Sequence, residues 1–410
     1  MQYLFRLKLM GNRFYRLSFY AVIFLDLVFK TSVTALASAT VDPGARDYSG
    51  RRGSVHYVSR LGDNSDGESW SKAFTTIQAA LSAVPDEKGG HIIIVRPDTY
   101  VEDNIYTAFK GAKGSYNLLV GDADGRLGSG AKGRIVIDSG DPQKGFKSYD
   151  WWGTIKTVGN GFKYGAEGWK QIAEGWKPDP SEKIFSSNCW DRWMLRNLYA
   201  TGSDAGFFWD FGDEKDEGFT VIIEDCVSIG RAFGGGICYP SVRPDEPSIF
   251  RRSYFMALDW DRDTGAILVG GKEVVMPGSP HLILEDCTLV HPDNALAISY
   301  ASNCARVRAV GCRMIVLNFT QPEMGGKSTG IICTQGHRPE GKLHVDLEDC
   351  ILAGYSVFTS GEDGKAVSYT TKGKVQAYVQ FKQTIPEGFE RINLWPDKLF
   401  DYIAIPKPVK

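Results

Sequence analysis

Apolar and polar residues alternate in short runs along most of this chain, and the runs recur. The stretches VIIEDCVSI (221–229), LILEDCTLV (282–290) and VDLEDCILA (345–353) share one plan. Each has an apolar alternation, an acidic residue, a small residue and a second apolar stretch. Looser copies are MLRNLYA (194–200), IFRRSYFM (249–256) and VRAVGCRMIV (307–316). In the last full copy Leu343, Val345 and Leu347 fall on one face, and His344, Asp346 and Glu348 on the other. A period of two is that of a strand. Cys350 and Leu352 then resume the apolar face, so the phase slips by one at Asp349. A one-residue bend explains the slip, and it calls for a residue that tolerates left-handed backbone. The equivalent positions are Asn197, Asp225, Arg252, Asp286, Gly311 and Asp349. All but Arg252 are of the favoured types.

A further short strand follows each bend and its strand: FFWDF (207–211), GICY (236–239), AILVG (266–270), LAISY (296–300), GIICT (330–334) and SVFT (356–359). Strand, bend, strand, loop, strand, loop, repeated every 25–38 residues, is a solenoid coil with variable loops. The fold predicted is an all-β, right-handed parallel β-helix, a single domain over 55–374. A solenoid end exposes an apolar cross-section and needs a cap. Phe74, Ile77, Ala80, Leu81 and Val84 make one helical stripe that suits the N-terminal end. Residues 375–410, with Tyr378, Phe381, Phe389, Trp395, Phe400 and Ile403, are expected to cover the other end.

The stretch Tyr57-Val58-Ser59 to Gly67, Trp70, Ala73-Phe74 and Thr76-Ile77-Gln78-Ala79-Ala80-Leu81 resembles the opening of pectin-lyase-like right-handed β-helix proteins. Gly89-Gly90-His91-Ile92-Ile93-Ile94-Val95 and Pro97-Asp98-Thr99-Tyr100 resemble their first coil, with Asp98 where the family has glycine. The sharp motif covers 57–100 only. It implies a fold, which hosts many functions, and a substrate groove along the strand that follows the long loop. The polygalacturonase motifs of this fold are missing.

The chain has 410 residues, 43% hydrophobic and 23% charged, with a formal net charge of −2. This excludes a disordered chain and argues against a nucleic-acid partner. Arg6, Lys8, Arg13 and Arg16, the apolar run 17–29 and the small residues around Ala37 and Ala39 read as a secretory signal over 1–39. Residues 40–54 read as a linker. The mature chain is expected to lack a membrane span, to be secreted, periplasmic or on the cell surface, and to be a monomer. Four of the eight cysteines, Cys226, Cys287, Cys312 and Cys350, share one inward repeat position and read as buried free thiols.

Charged residues crowd the loops of the central coils, which suits binding an anionic sugar chain and moving protons. The favoured function is β-elimination on an acidic, uronate polysaccharide. Lys272, His337 or Arg243 would be the base, and Arg338 or Ca²⁺ would neutralise the carboxylate. Tyr300 and His291 flank the same strands. Tyr239, Trp209, Lys327, Trp151 and Trp152 are expected to bind substrate. Trp151 and Trp152 open a tryptophan-rich excursion over 140–193. Asp259, Asp261 and Asp263 are calcium candidates by their alternation. With Asp293 they are also the carboxylate candidates for glycoside hydrolysis. The rival class is a non-catalytic glycan-binding or structural β-helix.

Overall fold

The computed structural model describes residues 51–102, 105–139, 190–202, 205–209, 218, 220–231, 233–237, 240–258, 265–270, 279–298, 304–319, 330–334, 342–359, 367–380, 382–395 and 397–407. Its strands run in parallel ladders that form three long sheets. Sheet 1 holds β1 (Val55–Val58), β2 (Ile92–Val95), β4 (Asn117–Gly121), β6 (Trp193–Arg196), β9 (Val221–Glu224), β12 (Ser248–Arg251), β15 (Leu282–Glu285), β18 (Cys304–Val310), β21 (Lys342–Glu348) and β24 (Val367–Lys372). Sheet 2 holds β3 (Asp98–Val101), β5 (Ile135–Asp138), β7 (Leu198–Thr201), β10 (Val227–Gly230), β13 (Tyr254–Ala257), β16 (Thr288–His291), β19 (Arg313–Val316), β22 (Ile351–Gly354), β25 (Gln376–Val379) and β26 (Glu390–Arg391). Sheet 3 holds β8 (Phe207–Trp209), β11 (Phe233–Ile237), β14 (Gly265–Val269), β17 (Leu296–Ile298), β20 (Ile332–Thr334) and β23 (Phe358–Thr359). The chain is a right-handed parallel β-helix.

The bend between sheets 1 and 2 is where the sequence placed it. Asn197, Asp225, Arg252, Asp286, Gly311 and Asp349 all have φ between 47° and 64°, and Gly373 continues the ladder at 66°. Arg252 was the expected misfit, yet it adopts the same conformation. Its guanidinium pairs with Asp225 at 2.8 Å and with Glu224, one coil away. Those ion pairs offset a backbone cost of about 1–3 kcal/mol. The slip after the bend turns Cys226, Cys287, Cys312 and Cys350 inward, where all are buried and free. Stacked in register, they behave as small core residues. Cys333 is a buried cysteine as well, on sheet 3.

One end is closed by α1 (Ile77–Ser82), which buries Ile77, Ala80 and Leu81. Thr76 caps it by accepting from the Ala79 amide at 3.2 Å. The Glu102 carboxylate accepts from the Ile77 and Gln78 amides, at 2.7 and 2.8 Å. Four backbone donors at a helix start need such partners.

The C-terminal segment divides its work. Phe389 packs edge-on against Phe358 and Tyr369. β25 and β26 simply extend sheet 2. From Ile392 the chain turns back over the outer face of sheet 2, where Leu394 and Leu399 of α2 (Asp397–Ile403) meet Ile315 and Ala353. The Tyr254 hydroxyl donates to the Ile403 carbonyl at 2.6 Å. Trp395 and Phe400 remain 59% and 56% exposed, so neither covers the coil end.

At Gly311 an added Cβ would run into the Asp286 carboxylate, and the φ is left-handed. Gly311→Ala is therefore expected to lower stability by about 1–3 kcal/mol. Asp286→Gly, at the same point of the preceding coil, should change it by about 1 kcal/mol or less. Urea unfolding followed by tryptophan fluorescence checks both. Equal effects from the two substitutions would contradict the ladder account.

Candidate functional site on sheet 1 and its border with sheet 3

The sequence pointed to sheet 3 as the floor of a groove. Along its outer side Gly236, Leu268, Ala297 and Cys333 stand in register. Leu268, Ala297 and Cys333 are buried in one small apolar cluster with Ala205. That face carries no charged side chain among the described residues of these strands.

The expected site residues fall into two groups. Lys272, Tyr300, His337, Arg338, Tyr239, Lys327, Trp151, Trp152, Asp259, Asp261 and Asp263 lie outside the described residues. In sequence, Lys272 falls between β14 and β15, Tyr300 between β17 and β18, and His337 and Arg338 between β20 and β21, each time after a sheet 3 strand and before a sheet 1 strand.

Arg243, His291 and Trp209 are described, and their surroundings differ from the expected roles. Arg243 sits in the β11–β12 connection, also between sheets 3 and 1. Its guanidinium binds Asp191 at 2.5 and 3.1 Å, Thr220 Oγ1 at 3.0 Å and Glu246 at 3.2 Å. Arg192 joins the same carboxylates, with two contacts to Glu246 at 2.7 and 3.1 Å and one to Asp191 at 2.9 Å. With its guanidinium committed to two carboxylates and a hydroxyl, Arg243 braces this corner rather than facing a groove as a base. His291 is fully buried, and its Nδ1 accepts from the Asp293 and Asn294 amides at 2.9 and 3.0 Å. It fastens the turn after β16. Trp209 has 0% exposure and stacks on Phe207, with Trp190 edge-on. Its indole packs the core and has no face for a sugar. Asp293 is held above the ordinary carboxylate range by burial, against a weak contact to Asn318. Among the described residues no cluster of His, Cys, Asp or Glu could hold a metal ion.

Polar side chains gather instead on the outer face of sheet 1. This face changes character along the solenoid. One row, set by strand register, reads Val55, Ile92, Leu118, Met194, Ile222, Ile249, Ile283, Arg308, Asp346, Thr370. The row beside it reads Arg196, Glu224, Arg251, Glu285, Val310, Glu348, Lys372. A third and shorter row is Arg306, His344, Ser368. The early coils are thus aliphatic outside, and the last three are polar.

Two ion-pair centres organise this face. Glu224, with 5% of its side chain exposed, is surrounded by Arg196, Arg251 and Arg252. Arg251 supplies charge rather than a hydrogen bond: its Nε is 3.0 Å from Glu224 but poorly aligned. Burial pushes Glu224 up, yet Arg196 and Arg251, helped by Arg252, hold it below the usual range. Further along, Asp346 accepts from Arg306 Nε at 2.8 Å and from Thr370 Oγ1 at 2.6 Å. His344 Nε2 lies 3.1 Å from the same carboxylate, and His344 Nδ1 lies 2.8 Å from Ser368 Oγ. Burial raises Asp346, and the Thr370, Arg306 and His344 contacts outweigh it, so its pKa is lowered. Glu348 is lowered by Lys372 at 2.6 Å and Arg308 at 3.0 Å.

Sequence reasoning passed over this array. His344 reads as an ordinary outward residue of its strand. The usable signal was the coincidence of Arg306-x-Arg308, His344-x-Asp346-x-Glu348 and Ser368-x-Thr370-x-Lys372 at one repeat position.

Removing the charge of Glu224 leaves three guanidinium groups facing a neutral amide. Glu224→Gln is expected to cost about 3 kcal/mol at neutral pH. The sign with pH follows from the lowered pKa. The carboxylate contributes stability above its unfolded value, about 4.3, and loses it as pH falls through the lower folded value. Stability curves of wild type and E224Q should therefore converge on acidification. Parallel curves would contradict this account.

No family model matches the chain, and no curated protein does. Among solved structures it is similar to the pectin methylesterase of Aspergillus niger in deglycosylated form, at 14% identity and TM-score 0.37, over 87% of this chain and 96% of that one. It is also similar to Escherichia coli ybhc, at 14% and 0.36, over 80% and 75%. A third is XylC in complex with xylose, at 13% and 0.33, over 74% and 70%. All three TM-scores lie below 0.5, and the β-helix is read from the chain's own parallel ladders.

Proposed function

We propose that this protein is carbohydrate-active and holds an acidic polysaccharide along the polar end of sheet 1. The observation that carries the reading is the layering of charge there. The carboxylates of Asp346 and Glu348 lie close to the sheet, at 22% and 20% exposure. The cations reach past them: Arg308 is 48% exposed and Lys372 75%. Lys342, at the start of β21, is exposed as well. The outermost layer is therefore cationic, although the side chains nearly balance in sign. A rigid, regularly spaced array of donors suits a polymer with a regular repeat, because the donors are ordered before binding.

The reaction we favour is β-elimination. Its remaining candidates, Lys272, His337 and Arg338, together with Tyr300, fall in sequence between sheet 3 strands and the sheet 1 strands that follow them. A chain lying on sheet 1 would run along that border. Ca²⁺ at Asp259, Asp261 and Asp263 remains part of the proposal as a separate calcium dependence. With this substrate class we also propose that residues 1–39 direct export. No helix among the described residues is long and apolar enough to cross a membrane.

The test uses the purified chain with pectate, alginate and glycosaminoglycans, with and without Ca²⁺. Affinity electrophoresis should show retardation that falls with added salt and is weakened several-fold in the Arg308→Ala, Lys372→Ala double variant. Elimination should appear as ultraviolet absorbance of unsaturated uronate. Unretarded migration in every gel would overturn the binding reading. Binding without new absorbance would overturn elimination.

A further inference from the structure

Ser, His and Asp meet in hydrogen-bonded series at two places among the described residues. At the first, Ser54 Oγ lies 2.9 Å from His91 Nδ1, and His91 Nε2 lies 3.1 Å from Asp86 Oδ1. There the Ser54 amide also donates to Nδ1, at 3.1 Å, and His91 has no exposed surface. The imidazole lone pair is occupied by backbone, and the group pins β1 to β2.

The second place differs in each respect. Ser368 is exposed, and His344 is partly exposed at 27%. The Nδ1 contact is the Ser368 hydroxyl at 2.8 Å. Because the ionised Asp346 accepts at Nε2, the neutral ring carries its hydrogen there. Nδ1 is left as the acceptor for the Ser368 hydroxyl. Asp346 is itself fixed, by Arg306 on one oxygen and Thr370 on the other. Nucleophile, base and orienting carboxylate come from β24 and β21, paired with the register His344 to Ser368 and Asp346 to Thr370. These are the relations that mark an activated serine: a nucleophile–base bond, a base–carboxylate bond and open access.

Among the described residues β24 ends sheet 1. Asp349 donates to the Lys372 carbonyl, so Lys372, Thr370 and Ser368 direct their backbone groups toward β21. By alternation the Tyr369 amide points away from β21, on the side where Glu387 and Phe389 approach Tyr369. It is the amide that follows the nucleophile, a position from which a developing oxyanion can be bound.

We propose that Ser368, His344 and Asp346 form a serine-type site that hydrolyses acyl esters carried by the polysaccharide. The substrate class rests on the reading of this face given above. Ser368 Oγ bonds to the acyl carbon while its proton passes to His344 Nδ1. The sugar hydroxyl then leaves, taking that proton as the ester C–O bond breaks. Water repeats both transfers, releasing the acid and restoring Ser368. Asp346 is a positioning residue that keeps the hydrogen on Nε2.

The experiment uses the full chain, a fluorophosphonate probe, 4-nitrophenyl acetate, and one acetylated polysaccharide with its deacetylated form. Peptide mapping should place the probe on Ser368 and leave Ser54 unmodified. Ser368→Ala should abolish labelling and ester turnover. His344→Ala should slow labelling roughly hundredfold or more. Asp346→Asn should lower kcat with KM unchanged, which a merely structural loss would not do. An unlabelled Ser368, or wild-type turnover in S368A, would overturn the proposal. Labelled Ser368 without polymer binding would instead sink the polysaccharide reading alone. Polymer binding without labelling would sink the esterase site alone.

Discussion

From Asn197 onward, one residue per coil, held in the left-handed region, carries the chain from sheet 1 into sheet 2. Strand pairing in a solenoid works only if every coil turns at the same point, because a slip of one residue exchanges inside and outside. The bend ladder from Asn197 to Gly373 fixes that point seven times. It puts the four stacked cysteines into the core. It also fixes which residues of sheet 1 face outward. Without that constraint Arg306, His344 and Ser368 would have no reason to share a row.

The outward rows then sort themselves by chemistry. In the early coils Met194 and Ile222 are buried on the outer face, with Tyr116 and Leu118 of the same cluster. In the middle, one carboxylate, Glu224, gathers three arginines. At the far end, charged and hydroxyl groups pair across strands and remain open to solvent. The same backbone scaffold thus carries a covered wall, a buried electrostatic clamp and an accessible polar surface. Only the last has both order and access, and these are what a binding or catalytic surface needs.

The fold was largely legible in the sequence because its rules are local. Alternation gives the strands, and the phase slip marks the bends. Arg252 was misjudged because its compensation is not local: Glu224 lies 28 residues away, one coil over. The C-terminal segment was half legible. Its apolar residues announced a cover, but their pattern could not say that sheet 2, as well as the coil end, would receive it. The site was the least legible part. His344 finds Ser368 24 residues away and Arg306 meets Asp346 40 residues away, so their meeting depends on register. Attention to charged loops favoured Arg243, whose charge proves to be spent on Asp191 and Glu246.

The central claim is that substrate lies on the polar end of sheet 1. Hydrogen–deuterium exchange of the full chain with and without a saturating acidic polysaccharide tests it directly. The account predicts added protection in peptides covering 304–310, 342–348 and 367–372, with 391–403 on the sheet 2 side unchanged. Protection confined to 391–403, or to sheet 3 strands such as 265–269 and 296–298, would contradict it.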